Sequence, residues 1–152
     1  SLSRRQRQMC IRDRSYRVQI TPTHADNRIH LCYHMMTNTD MASNTLFMLR
    51  AVKFTSGSAA TITSRSTWSS AGSRYPVDFA TRPANGQDGN DQTPIYWECY
   101  DDPNSTSQQT YGFTFRREAG GSGTIYFGYS KNNNSIYAFH TNVMIIAREV
   151  VR

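Results

Sequence analysis

The chain has 152 residues, with 17 Lys and Arg against 11 Asp and Glu and a net charge of +6. A chain of this length supports one hydrophobic core that buries roughly 68–70% of the unfolded surface. Its longest uninterrupted apolar run, residues 143–147, falls far short of the about 20 residues that span a bilayer. Membrane insertion is therefore not expected. No export signal is read after Arg4 and Arg5, where Gln-Arg-Gln-Met-Cys-Ile-Arg follows instead of an apolar stretch.

The positive charge sits at one end. Residues 1–17 carry six arginines against Asp13, a net +5, whereas residues 18–152 carry 11 basic and 10 acidic side chains, a net +1. The opening SLSRRQRQMCIRDR has neither a helical nor a strand period. Its wording resembles a translated sequencing-adapter read-through of the kind found at the ends of metagenomic gene models; the alternative is a flexible basic arm. The expected organisation is a disordered basic tail over 1–15 and a single β-sandwich domain over 16–152. Cys10, Cys32 and Cys99 are an odd count, and the last two lie in apolar segments, which reads as free thiols in a reducing compartment.

From Tyr16 onward, apolar side chains alternate with polar ones, the period of half-buried strands. Tyr16, Val18 and Ile20 alternate with Arg17 and Gln19 up to Pro22 and a turn over 23–27. In RIHLCYHMM, Ile29, Leu31, Tyr33 and Met35 share one face; His30, Cys32, His34 and Met36 share the other, which is neither plainly core nor plainly solvent. LFMLRAVKF, residues 46–54, tolerates a helical period with Ser43 as its cap, but its β-branched and aromatic members favour a strand. PIYWECYD and TYGFTFRRE alternate strongly. GTIYFGYS is expected to return as a hairpin partner across a Gly120–Gly123 turn, and NVMIIAREV to close the chain as a buried strand. Seven or eight strands, Gly/Asn/Ser/Pro loops and no convincing helix predict an all-β fold: a two-sheet antiparallel β-sandwich, jelly-roll-like. Residues 65–93 and 130–140 are the long loops, and loops of that length are usually functional or mobile.

Motifs for catalysis are missing. There is no G-x-S-x-G elbow and no phosphate-binding glycine loop ahead of a helix, so no enzymatic activity and no cofactor are expected. His30, Cys32 and His34 are all transition-metal ligand types on one strand face, but neighbours in such a row stand roughly 6.6–6.8 Å apart. Two of them, with His30 and His34 the metal candidates, could share an ion, and three hardly could. In a trimer one such His from each chain could meet on the axis. Asp88 and Asp91 lack the spacing of a calcium loop. Asp101 and Asp102 are a poor carboxylate pair for glycoside hydrolysis, because adjacent strand residues point to opposite sides. The sequons at Asn104 and Asn133 read as chance matches. Trp68, Tyr75 and Tyr137 fall in the long loops, where a flat ring can stack on a sugar or a protein ligand. With Asn85, Asp88, Asp91 and Asn133 they form the candidate receptor-binding set.

Three stretches carry a resemblance. VQITPTHADNRIHLCYHM, CYDDPNSTSQQTYGFTFR and HTNVMIIAREV, spread over residues 18–150, resemble a tail-fibre-like C-terminal domain of marine and other environmental bacteriophages; the second stretch, with its aspartates, Ser/Thr-rich turn and Thr-Tyr strand, is the most specific. The resemblance implies a jelly-roll module, a homotrimer, a place in the virion tail or appendage after synthesis in the host cytoplasm, and attachment to a host cell-surface glycan or protein. It transfers turns and strands and no active residue. Two other readings compete. One is a small viral jelly-roll coat protein whose arginine-rich arm binds nucleic acid, with no nucleic-acid partner expected unless that arm is genuine. The other is a secreted carbohydrate-binding or trimeric ligand domain.

Overall fold

The computed structural model describes residues 7–10, 16–39, 46–62, 77–81, 92–117, 124–129 and 142–152. Among them there is no helix, and the chain forms two antiparallel sheets of five strands each. In chain order the strands are β1 (Arg7–Cys10), β2 (Arg17–Ile20), β3 (Arg28–Thr39), β4 (Phe47–Thr55), β5 (Ser58–Thr61), β6 (Phe79–Thr81), β7 (Thr93–Asp101), β8 (Gln109–Arg117), β9 (Ile125–Phe127) and β10 (Met144–Val150). The first sheet runs β1-β10-β3-β7, with β9 also on β3; the second runs β2-β8-β4-β5, with β6 also on β4. No helix of the described residues is long and apolar enough to cross a membrane.

The period-2 pattern decides what faces inward. Ile29, Leu31, Tyr33 and Met35 of β3 are buried against Val18 and Ile20 of β2, Phe47, Leu49 and Ala51 of β4 and Tyr111 of β8, in one core cluster fed by both sheets. Burial of each large apolar side chain there contributes roughly 1.5–3 kcal/mol relative to exposure. LFMLRAVKF is a strand, because its alternate Phe47, Leu49 and Ala51 supply one continuous buried face. Trp97 lies nearly parallel to Tyr33, ring centroids 4.4 Å apart and 2° between planes.

Two tyrosines cross the sandwich in opposite directions. Tyr33 of the first sheet donates its hydroxyl to the Gly112 carbonyl of the second at 2.9 Å. Tyr111 of the second donates to the buried Asp101 carboxylate of the first at 2.6 Å, and Lys53 reaches the same oxygen at 3.5 Å. Burial and then the hydrogen bond to Asp101 push the Tyr111 phenol far above its ordinary value, so it stays a donor.

The split edges explain why more strands form than the seven or eight expected. β3 pairs with β10 as far as His34 and with β9 from Thr37 onward; between them the Gly128 amide donates to the Met36 carbonyl at 2.8 Å. On β4, β6 covers Phe47–Leu49 and β5 covers Val52–Thr55. There Asp78 fills the gap: its amide donates to the Leu49 carbonyl at 2.8 Å, and its carboxylate accepts the Ala51 amide at 2.6 Å.

One expectation fails. β9 pairs with β3, in the sheet opposite β8, so the chain between β8 and β9 crosses the sandwich and is no hairpin. Gly-rich punctuation marks a reversal without saying which sheet receives the next strand; residues 118–123 themselves lie outside the described residues. The segment 1–15, read as a basic tail, contributes the backbone of β1, which runs antiparallel to β10 with Arg7 opposite Ala147 and Cys10 opposite Met144.

The β2–β3 turn is held by Glu149 of β10. Its Oε1 accepts from the Thr23 amide at 2.6 Å, the Thr23 hydroxyl at 2.8 Å, Asn27 Nδ2 at 2.7 Å and the His24 amide at 3.3 Å. Burial alone would push this carboxyl up, but the hydrogen bonds from Asn27, Thr23 and His24 outweigh it and hold the group below its ordinary value of 4.5. A depressed folded value means that the stabilisation is complete at neutral pH. It declines as the pH falls through the ordinary glutamate value and is gone below the folded one. Glu149→Gln is expected to lose about 1 kcal/mol at pH 7. Thermal melts from pH 7 into the acid range should bring the two proteins together as the wild-type clamp is protonated; a gap that stays constant across that range would rule out the clamp.

Candidate functional site

The register of β3 between its neighbours assembles a polar and aromatic row on the outer face of the first sheet. His30, Cys32 and His34 stand opposite Tyr100, Glu98 and Tyr96 of β7 on one side and Arg148, Ile146 and Met144 of β10 on the other. Because the inner face takes Ile29, Leu31, Tyr33 and Met35, the alternate residues must point outward. Tyr96 and Tyr100 are 59% and 44% exposed, large rings left to solvent on a sheet surface.

Glu98 is the hub. Its Oε2 lies 2.9 Å from His30 Nε2, 3.1 Å from the Tyr96 hydroxyl and 3.9 Å from Cys32 Sγ. The hydrogen bonds from His30 and then Tyr96 hold this carboxyl below its ordinary value. An ionised carboxylate only accepts, so His30 carries a proton on Nε2 and donates. The same nitrogen is 3.5 Å from Cys32 Sγ. Burial pushes the Cys32 thiol up, with Arg148 pulling against it. The His30 ring stacks on Tyr100, centroids 4.7 Å apart, while His34 packs edge-on to Tyr96 at 6.2 Å.

His30, Cys32 and Glu98 thus bring three metal-ligand types together, with ligand atoms all within 4.8 Å of one another. Two of the three belong to the row singled out in the sequence. The third comes from the neighbouring strand, and His34, paired with Tyr96, stays outside the group. Glu98 was missed because the sequence reading stayed within one strand; the signal that finds it is the antiparallel register, which sets Cys32 directly opposite Glu98.

The row ends in an ion cluster. Arg28 grips Asp102 with two bonds of 2.7 and 3.2 Å, and Arg152 joins the second carboxylate oxygen at 2.7 Å. The Arg28 hydrogen bond leads in holding the Asp102 carboxyl below its ordinary value. Asp101 next to it faces inward to Tyr111 and Lys53, so the two carboxylates serve opposite sides of the sheet, as alternation requires. Asn104 takes a left-handed φ of 48° in the β7–β8 turn, and its side-chain amide donates to the Asp102 carbonyl at 3.2 Å. Neither Cys32 nor Cys99 forms a disulfide.

No family model matches the chain, and no curated protein matches it. The candidate receptor-binding residues Trp68, Tyr75, Asn85, Asp88, Asp91, Asn133 and Tyr137 lie outside the described residues. The strand ends that flank these segments are described: those of 82–92 lie at one end of the sandwich, whereas those of 62–78 and 128–143 lie along the edges of β4 and β3. Thr81 pairs with Phe47 at the start of β4, and Thr93 with Thr37 near the end of β3. Phe127 also pairs with Thr37, and Met144 with His34.

Proposed function

We propose that this chain is a non-enzymatic virion structural protein, the jelly-roll-like attachment domain of a tail-fibre-like appendage. In this reading it assembles as a homotrimer and binds a host cell-surface glycan or protein through the long connections of its sandwich. The observation that carries the reading is the length of three connections, β5–β6, β6–β7 and β9–β10, against the short bonded turns at one end. At one end β2–β3, β4–β5 and β7–β8 are joined by 7, 2 and 7 residues. The other end carries β3–β4, β6–β7 and β8–β9, joined by 7, 11 and 7 residues, while β5–β6 and β9–β10, of 17 and 16 residues, begin and end along the edges of β4 and β3. Recognition modules carry variable loops on a rigid sandwich in this way.

The strand order supports the jelly-roll form. β1-β10-β3-β7 faces β2-β8-β4-β5, and the chain changes sheet at most of its connections, as in a fold of two Greek keys.

Light scattering on the full chain at low and high salt tests the assembly: a salt-resistant trimer is expected, and a stable monomer overturns the fibre-tip arrangement. A glycan array probed with wild type and with Trp68→Ala/Tyr137→Ala tests the loops. Loss of stacking should weaken the best signals roughly tenfold, the equivalent of about 1.4 kcal/mol, with an unchanged melting temperature. Equal binding by both proteins would remove these rings from the site.

The coat-protein reading has one observation in its favour: the Arg7–Cys10 backbone runs beside β10, which ties the arginine-rich stretch to the sandwich. It expects nucleic acid to co-purify with the chain and to be stripped steeply by salt.

A further inference from the structure

We infer that His30 Nε2, Cys32 Sγ and Glu98 Oε2 form a three-ligand site for one zinc ion on the outer face of the first sheet, with the fourth tetrahedral position left to water. The inference does not depend on the attachment reading. Zinc bonds of about 2.0–2.1 Å to nitrogen, 2.3 Å to sulfur and 2.0–2.2 Å to oxygen require ligand atoms about 3.6 Å apart for pairs that include sulfur and about 3.4 Å for nitrogen and oxygen. The three separations here are 3.5 Å between sulfur and nitrogen, 3.9 Å between sulfur and oxygen and 2.9 Å between nitrogen and oxygen. Each lies within about half an ångström of the tetrahedral requirement, a distance that small side-chain rotations cover.

The donor set selects the ion. One thiolate, one imidazole and one carboxylate suit zinc, whereas magnesium and calcium demand oxygen ligands. Entry of Zn²⁺ displaces the Sγ proton of Cys32 to solvent and breaks the His30–Glu98 hydrogen bond: the Nε2 proton leaves as Nδ1 takes one up, so the imidazole stays neutral and one proton is released in all. The bound unit of Zn²⁺, thiolate, carboxylate and neutral imidazole then carries no net charge.

The scaffold is stiff where it has to be. β3 and β7 pair continuously from Ile29 opposite Asp101 to Thr37 opposite Thr93, which fixes Cys32 across from Glu98. Two neighbours orient the ligands: Tyr100 stacks on the His30 ring, and the Tyr96 hydroxyl donates to Glu98. Outer partners of this kind are what a metal site needs to hold its ligands in one geometry. All three ligands rise from the same sheet face, so the open position points away from the protein.

The test uses the full chain, stripped with a chelator and titrated with Co²⁺ as the spectroscopic probe and Zn²⁺ as its competitor. One cobalt per chain is expected, with a thiolate-to-cobalt charge-transfer band, visible bands of tetrahedral intensity, and displacement of both by zinc. Cys32→Ser should abolish the charge-transfer band, while Cys10→Ser and Cys99→Ser keep it. His30→Gln and Glu98→Gln, on the exposed side of the sheet, should weaken zinc by more than about 100-fold, since loss of an outer partner alone costs 10–100-fold; melting curves establish that each variant is folded. The site is overturned if folded wild type gives only a pale octahedral spectrum, if the band survives in Cys32→Ser, or if zinc affinity is the same in His30→Gln and Glu98→Gln as in wild type.

Discussion

Gly112→Ala is expected to destabilise the protein by about 3 kcal/mol, the upper end of overpacking costs, and to lower the melting temperature by roughly 6–12 °C. A Cβ at this position would stand 2.5 Å from the Tyr16 carbonyl oxygen and 2.8 Å from Phe54 Cε2. Phe54 alone can swing aside, but the Tyr16 carbonyl belongs to the backbone leading into β2, and β2 is paired with β8 at Arg17 opposite Gly112. Relief therefore requires β2 to shift away from β8. The bare Cα is also what lets the Phe54 ring lie over the strand, with the Arg17 guanidinium 3.8 Å above it, a cation–π lid that an added methyl would lift. Differential scanning calorimetry of the two proteins measures the loss; an unchanged melting temperature would mean that β2 accommodates the methyl freely.

Tyr111→Phe should lose about 2–3 kcal/mol, the range for a hydrogen bond to a charged group. The substitution keeps the ring and its packing and removes the hydroxyl that reaches Asp101 at 2.6 Å. Asp101 is nearly fully buried, and Lys53 approaches it at 3.5 Å, so a desolvated carboxylate oxygen loses a 2.6 Å bond. Urea melts of Tyr111→Phe, Asp101→Asn and the double variant separate the pair's coupling from other effects. A coupling near zero would show that the two groups are neighbours without mutual stabilisation. Tyr33→Phe makes the matching comparison, since the Tyr33 hydroxyl meets a neutral carbonyl and its loss should cost less, about 1 kcal/mol.

Much of this fold could be read from side-chain alternation, and the reason is local. Ile29, Leu31, Tyr33 and Met35 could be assigned to one face because β geometry sends alternate residues to the same side, and all four are buried. The same rule separated Asp101 from Asp102. What alternation does not contain is partnership. Whether β9 returns to β8 or crosses to β3, and where β5 and β6 divide one edge of β4, depends on contacts between residues far apart in the chain. Glu98 belongs to that second category: on its own strand it is an ordinary exposed acid, and it joins His30 and Cys32 only through the register with β3. Mixed burial along His30, Cys32, His34 and Met36 was the one local sign that this face is more than a solvated surface.

The short and the long connections of the sandwich answer differently to change. Around Glu149, Asp102 and the Ser56–Gly57 turn, where both residues adopt positive φ of 51° and 83°, the connections are short and stitched to strands by named bonds, so an insertion there breaks a specific contact. In the long connections, doubling the length raises the closure entropy by only about 0.6 kcal/mol. Changes of length and sequence are therefore expected to cost little stability in the long connections and much more at the short, bonded turns.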